Sequence, residues 1–287
     1  MIEIKGLTKR FGELVALDDL SLQIGPGEIF GFIGPNGAGK STTMKVLSCL
    51  LKADAGEAKV CGFDTRTDGD RIRRVLGYMP DFLGVYDDLT VDEYLQFFAS
   101  AFGIERAKRK AVIDSVLELT DLTAKRRAMV DSLSRGMQQR LGVARVLIHE
   151  PRVLLLDEPA SGLDPRARIE MRSLLTELGR MGKCLMVSSH ILSELGEMSS
   201  SIGIIERGKL LYAGTMKDAL SRVQAGERIG VTLEEGTVPP EEVSRVVSQD
   251  PRVESVQIEG PREVCVELKP GQHGDQRDHG GAAGEMH

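Results

Sequence analysis

The sequence predicts an α/β fold: a parallel sheet covered by helices, with an N-terminal antiparallel β subdomain, a helical insertion and a small C-terminal α+β appendage. Three observations carry that expectation. Strand-like and helix-like segments alternate between residues 153 and 198, the pattern of parallel strands joined by covering helices. The stretch from about residue 89 to 149 is helical in pattern throughout, and so reads as an insertion between early and late strands. From about Arg222 the character changes to short strands around one helix.

Taken in order, Ile2-Glu3-Ile4 alternates, and Leu20-Ser21-Leu22-Gln23-Ile24 alternates again, so residues 2–33 read as short strands. The turn Gly25-Pro26-Gly27 then leads into the apolar strand Ile29-Phe30-Gly31-Phe32-Ile33. A helix over residues 42–51 carries Met44, Leu47 and Leu51 at helical spacing, and strands are expected at about 58–61 and 75–79. Within the insertion, Val91, Leu95, Phe98 and Phe102 mark one stripe, Val112, Val116 and Leu119 a second, and Met137, Leu141, Ala144 and Ile148 a third. Strand 153–157, helix 169–181, strand 184–188 and helix 191–198 follow, and residues 202–213, broken at Arg207-Gly208-Lys209, read as a hairpin. The appendage is expected to run strand 229–233, helix 241–247, strand 253–258 and strand 264–268. Residues 271–287 are Gly-rich, polar and aperiodic, which predicts disorder and makes His273, His279 and His287 solvated tail residues rather than a metal site.

A length of 287 residues allows one large core with a small appendage, and 41% apolar with 28% charged residues is ordinary for a globular protein. The net charge of −6 argues against nonspecific nucleic-acid binding. No apolar run approaches the ~20 residues that cross a bilayer, and the N-terminus lacks a signal-peptide core, so the chain is expected in the cytoplasm. Cys49, Cys61, Cys184 and Cys265 form no paired motif and read as reduced packing residues.

Chemistry enters at Gly34-Pro35-Asn36-Gly37-Ala38-Gly39-Lys40-Ser41, a phosphate-binding loop placed where a strand hands over to a helix. Its glycines let backbone N–H groups turn inward around a β-phosphate, and the helix N-terminus adds positive partial charge. Lys40 would reach the β- and γ-phosphates, the Ser41 hydroxyl would hold Mg²⁺, and Thr42 completes the nucleotide-binding stretch. The core is therefore a P-loop NTPase. Val153-Leu154-Leu155-Leu156-Asp157-Glu158-Pro159 is an apolar strand ending in two acids, at the end where such sheets bind ligands. Asp157 would hold the Mg²⁺ shell, and Glu158 would polarise a water for attack on the γ-phosphate. Ser134, in Leu133-Ser134-Arg135-Gly136-Met137-Gln138-Gln139-Arg140, reads as an N-cap whose hydroxyl, with the Gly136 N–H and the helix dipole, can also face a phosphate.

These segments resemble the signature sequence and the Walker B motif of the ATP-binding cassette (ABC) family, over about residues 2–215. Ser161-Gly162-Leu163-Asp164 resembles its D-loop, His190 in Val187-Ser188-Ser189-His190 its switch histidine, and Phe11 in Lys9-Arg10-Phe11-Gly12 its adenine-stacking aromatic. A histidine after a strand or a phenylalanine near one is, by itself, more often a packing residue; order and context carry both assignments. The resemblance implies a nucleotide-binding domain over 2–220 with its helical subdomain at about 85–150, an accessory domain at 222–270 and the 271–287 tail. It implies ATP and Mg²⁺ as cofactors, a permease as membrane-spanning partner, and a head-to-tail dimer with a second copy or a related cassette. Two departures stand out. Asp81 occupies the position where a glutamine is usual and would contact Mg²⁺ or its waters as a carboxylate, and Arg135 and Met137 replace the commoner glycine and glutamine. Such variants resemble bacterial export cassettes working with a separate membrane subunit, and Phe82-Leu83-Gly84-Val85-Tyr86 reads either as a docking patch for it or as a loop tucked on the insertion. The alternative is a soluble cassette ATPase acting on nucleic acid or ribosomes; such relatives usually carry a long coiled-coil insertion or tandem cassettes, which this chain lacks.

Overall fold

Strands β3 (Ile29–Ile33), β7 (Val153–Leu156) and β8 (Cys184–Ser189) are buried at every residue, as strands with both faces covered must be. They form the centre of a six-stranded sheet with β6 (Leu76–Met79), β9 (Ser201–Glu206) and β10 (Lys209–Thr215), in the order β10-β9-β3-β8-β7-β6. Every pairing is parallel except the β9–β10 hairpin. The register places Ile33 opposite Ser189, Val187 opposite Leu156, and Leu156 opposite Met79. The residues that follow these strands consequently emerge along one edge. The computed structural model describes residues 1–81, 84, 88–196, 198–219, 228–233 and 238–268, and it divides into one unit from Met1 to Met216 and a second from Lys217.

A second sheet in the first unit is antiparallel, ordered β2-β1-β4-β5 from β1 (Ile2–Phe11), β2 (Leu14–Ile24), β4 (Ala55–Val60) and β5 (Phe63–Asp64). Strands β1 and β2 run further than the two short alternating stretches suggest. Register shifts interrupt their pairing between Ile4 and Leu7 and again beyond Leu7, and at a bulge the in-out alternation breaks while the strand continues. Helix α1 (Lys40–Leu47) contributes Met44, Val46 and Leu47 to one apolar core shared by Leu7, Leu17 and Leu20 of the antiparallel sheet and Phe30, Phe32 and Leu155 of the parallel one. The phosphate loop is thereby anchored to both sheets.

Helix α2 (Gly69–Val75) stands where a strand was expected to open at Val75. Ile72 alone is fully buried in it, so a single apolar anchor among arginines and aspartates leaves no periodic signal. The insertion comprises α3 (Val91–Ala101), α4 (Arg106–Leu119), a 3₁₀ turn at Thr123–Lys125 and α5 (Arg135–Leu147). A capping box opens α3: Thr90 accepts from the Glu93 N–H while Glu93 accepts from the Thr90 N–H. Helix α4 buries Ile113, Val116 and Leu117 rather than the expected Val112, Val116 and Leu119, a small rotation that leaves Val112 and Leu119 half-buried. Helices α6 (Pro165–Arg180) and α7 (Leu192–Gly196) flank β8 in sequence. In the second unit, β11 (Arg228–Thr232), α8 (Pro240–Val247), β12 (Val253–Gly260) and β13 (Glu263–Leu268) form a β-α-β-β unit with sheet order β11-β13-β12 around Val264 and Val266. Phe82, Leu83, Val85, Tyr86 and the tail with His273, His279 and His287 lie outside the described residues.

His149, just beyond α5, stacks on Phe102 with ring centroids 4.1 Å apart, and its Nε2 lies 3.0 Å from the Leu76 carbonyl oxygen. Nε2–H donates there, Nδ1 is buried without a partner, and burial pushes the imidazole pKa down. Burial thus favours the neutral ring in the fold, whereas the unfolded chain protonates it near its ordinary value of about 6.5. Its contribution is therefore complete above that value and declines as pH falls toward the lowered folded value. Urea melts at about pH 7.5 and about pH 5 should show a smaller acid-side loss for His149→Phe than for wild type; an equal loss would assign the acid sensitivity elsewhere.

Candidate functional site

The loop between β3 and α1 is shaped by two close approaches. A Cβ at Gly34 would lie 2.2 Å from the Ile205 carbonyl oxygen, and one at Gly39, where φ is +111°, would lie 2.7 Å from that of Ala16. Only glycine fits either position. The Lys40 side chain is buried, with the residue 5% exposed; its Nζ donates to Gly34 O at 2.5 Å and to Pro35 O at 3.3 Å. Ser41 and Thr42 follow half-buried at the helix N-terminus. Backbone N–H groups, a helix start and a buried ammonium make this an anion site.

Carboxylates gather at the neighbouring strand ends. Asp157, 2% exposed, donates its N–H to Met79 O, and Glu158 turns the chain sharply with φ at +49°. One Glu158 oxygen lies 3.2 Å from Lys40 Nζ as an ion pair without a hydrogen bond, and the other lies 3.0 Å from His190 Nδ1. The turn at His190 is held by Ser189, whose hydroxyl donates to Glu194 and accepts the Ile191 N–H. Asp81 follows β6 on the same edge. Burial raises its pKa first, then the charges of Asp157 and Glu158, against opposition from Arg135 and Lys40. The Tyr78 phenol is likewise raised, by burial and then by Asp157 and Asp81, and its hydroxyl has no partner. Mutual repulsion among Asp81, Asp157 and Glu158 is what a cation would relieve. The donors there, with the Ser41 hydroxyl, are all oxygen, which suits Mg²⁺; no cluster of three or more His, Cys, Asp or Glu side chains able to cage a metal occurs among the described residues.

Phosphate loop and acids open into a cleft of about 550 Å³ lined by Phe11, Leu14, residues 35–42, Asp81, Glu158 and Arg207. Phe11 is 49% exposed, so it is not the core residue that its position by a strand would suggest when taken alone. Leu14 and Arg207 were not singled out from sequence. The signal that points to Arg207 is the Arg207-Gly208 turn, where both residues have positive φ, Gly208 N–H donates to Ala38 O, and Asp18 N–H donates to Gly208 O. Ser134 and Gly136 lie outside this cleft. Ser134 caps α5, accepting the Met137 N–H at 3.4 Å. A Cβ on Gly136 would meet Ala167, and one on Gly162 would meet the Arg135 guanidinium at 2.6 Å, so the segment after Ser134 packs on residues 162–167 of its own chain.

A family model described as ABC transporter matches residues 17–161. The chain belongs to that family. A Nod factor export ATP-binding protein of Paraburkholderia xenovorans is 36% identical over 92% of this chain and 85% of its own length. The probable multidrug ABC transporter ATP-binding protein YbhF of Escherichia coli is 37% identical over 83% of this chain, which spans only 41% of that protein. A dimeric bacterial ABC transporter cassette superposes with a TM-score of 0.68 at 25% identity, covering 75% of this chain and 99% of its own, and it has also been solved in a dimeric post-hydrolysis state with ADP and Pi bound. The chain accordingly carries a cassette of the ABC transporter family, and it spans about two fifths of the length of some of the curated relatives it matches.

Replacing Phe11 with alanine should weaken ATP binding without abolishing it. Base–aromatic stacking contributes about 1–3 kcal/mol, which corresponds to roughly a five- to 150-fold loss. Unchanged affinity by titration calorimetry would remove Phe11 from the base-binding wall.

Proposed function

We propose that this cassette binds and hydrolyses Mg·ATP as one half of a head-to-tail dimer and drives a separate membrane-spanning permease, in the direction of export. The observation that carries the reading is the convergence of Lys40, Glu158 and His190, from three chain segments, within 3.2 Å and 3.0 Å contacts beside the phosphate loop. Export is supported by relatives named for multidrug transport and Nod factor export. No helix among the described residues is long and apolar enough to cross a membrane. In this reading the span is the permease's, and the cassette sits peripherally on the inner face of the membrane.

Arriving phosphates compete with Glu158 and the loop carbonyls for the Lys40 ammonium. Once Lys40 turns to the β- and γ-oxygens, the Glu158 oxygen it faced is freed to accept a proton from the attacking water. His190 keeps the other oxygen in place. Ser41 and Asp157, with Asp81, would hold Mg²⁺, which supplies neutralisation of charge on the phosphate oxygens. Phe11 and Leu14 would face the base. Ser134 and Gly136 form a capped helix N-terminus outside the cleft of their own phosphate loop, and in this reading they meet the γ-phosphate bound by the other protomer, so that ATP closes the dimer and hydrolysis reopens it.

Glu158→Gln should keep ATP affinity and lose at least ~100-fold in turnover, the low end of what general-base loss costs. The ATP-bound dimer should then accumulate on size-exclusion chromatography; turnover near wild type would remove Glu158 from this role.

Ser134→Arg should leave ATP binding to the phosphate loop intact while blocking closure by bulk, whereas Lys40→Ala should weaken binding itself. A mixture of the two forms dimers with one site retaining both Lys40 and Ser134, so ATP-driven association should partly return. Absence of association in the mixture, together with wild-type activity first-order in protein across the dissociation range, would exclude the composite site.

A further inference from the structure

Ser188, fully buried near the end of β8, has no part in the mechanism above, yet its hydroxyl touches both acids of that mechanism. It donates to Asp157 Oδ1 at 2.6 Å and accepts the Glu158 backbone N–H at 2.8 Å. One oxygen atom, acting as donor and acceptor at once, ties the end of β7 to the neighbouring strand through a side chain.

Its importance follows from the backbone it holds. Glu158 lies in the left-handed region, which a residue with a Cβ occupies only where its surroundings enforce it. That conformation turns the chain out of the strand direction and points the Glu158 carboxylate at Lys40 and His190. The Ser188 acceptor is the side-chain bond to the Glu158 N–H, and the same hydroxyl fixes which Asp157 oxygen is engaged and which remains available. We propose that Ser188 is a positioning residue for hydrolysis, locking the Asp157 carboxylate and the strained Glu158 backbone into one unit. The proposal rests on the assignment of Glu158 as base and adds the residue through which its geometry is set. Alanine and valine make neither bond.

The test is steady-state ATPase kinetics with ATP affinity measured separately, on Ser188→Ala, Ser188→Thr, Glu158→Gln and the double variant Ser188→Ala/Glu158→Gln. A displacement of the base by about an ångström lowers kcat by up to roughly 10²-fold. Ser188→Ala is therefore expected to lose kcat on that scale with ATP affinity held within a few-fold, and Ser188→Thr, which keeps the hydroxyl, to regain part of it. In the Glu158→Gln background, Ser188→Ala should lose the part of its effect that acts through Glu158 and keep only the part that acts through Asp157, so the double variant should fall less than the product of the two single losses. Ser188→Cys, which fills the same space with a weak donor, gives the same comparison should the alanine variant fold poorly. Ser188→Ala turning over like wild type, losing affinity and kcat in equal measure, or multiplying the Glu158→Gln defect would each overturn the proposal. Near-normal turnover by Glu158→Gln would instead overturn the underlying assignment of the base, which keeps the two failures apart.

Discussion

In-register parallel pairing of β6, β7, β8 and β3 brings the residues after each strand to a single edge: Asp81, the Asp157-Glu158 pair, His190 and the loop starting at Gly34. Ladder bonds extend past the strands themselves, since Asp157 N–H donates to Met79 O and Gly34 N–H donates to Ser189 O. The pairing is enforced by burial. With both faces of β3, β7 and β8 covered, a slip of one residue would carry Asp157 or Gly34 out of line and draw polar backbone into the core. The apolar monotony of these strands and the chemical density at their ends have the same cause.

At that edge the energetics are those of charges removed from water. A buried ammonium facing a buried carboxylate gains Coulomb attraction but loses hydration, and such pairs are often poor contributors to stability. In the proposed mechanism the pair serves binding rather than folding. Lys40 is held by two carbonyl oxygens and one carboxylate, each exchangeable for a phosphate oxygen. Glu158 adds backbone strain, which in the left-handed region costs about 1–3 kcal/mol and persists only where neighbours hold it.

Much of this was legible in the sequence because the informative features are local. The phosphate loop, the apolar strand ending in two acids, and the N-cap serine each announce themselves within about ten residues. What escaped needs pairing between distant segments. Helix α2 has one buried anchor and no period, the β1–β2 bulges erase alternation, and Arg207 reaches the cleft only because a hairpin turn docks on the loop of residues 34–41. The raised pKa of Asp81 likewise depends first on burial and then on the charges at positions 157 and 158, which the sheet brings near. Asp81 and Arg135, which both depart from the usual family pattern, also prove to be within electrostatic reach of one another.

The turn at Gly208 joins the two walls of the cleft. One wall carries Phe11 and Leu14 on the antiparallel sheet; the other is the loop that follows the parallel one. Gly208 donates to Ala38 on the loop side and accepts from Asp18 on the other, so both stitches are backbone to backbone. Side-chain substitution elsewhere in the turn cannot cut them, and at position 208 itself a Cβ would come 2.8 Å from the Ala16 carbonyl. In the proposed reading, base preference and phosphate grip are separately adjustable: the side chains at positions 11 and 14 bear on the first, while backbone bonds through Gly208 hold the spacing between that wall and the phosphate loop.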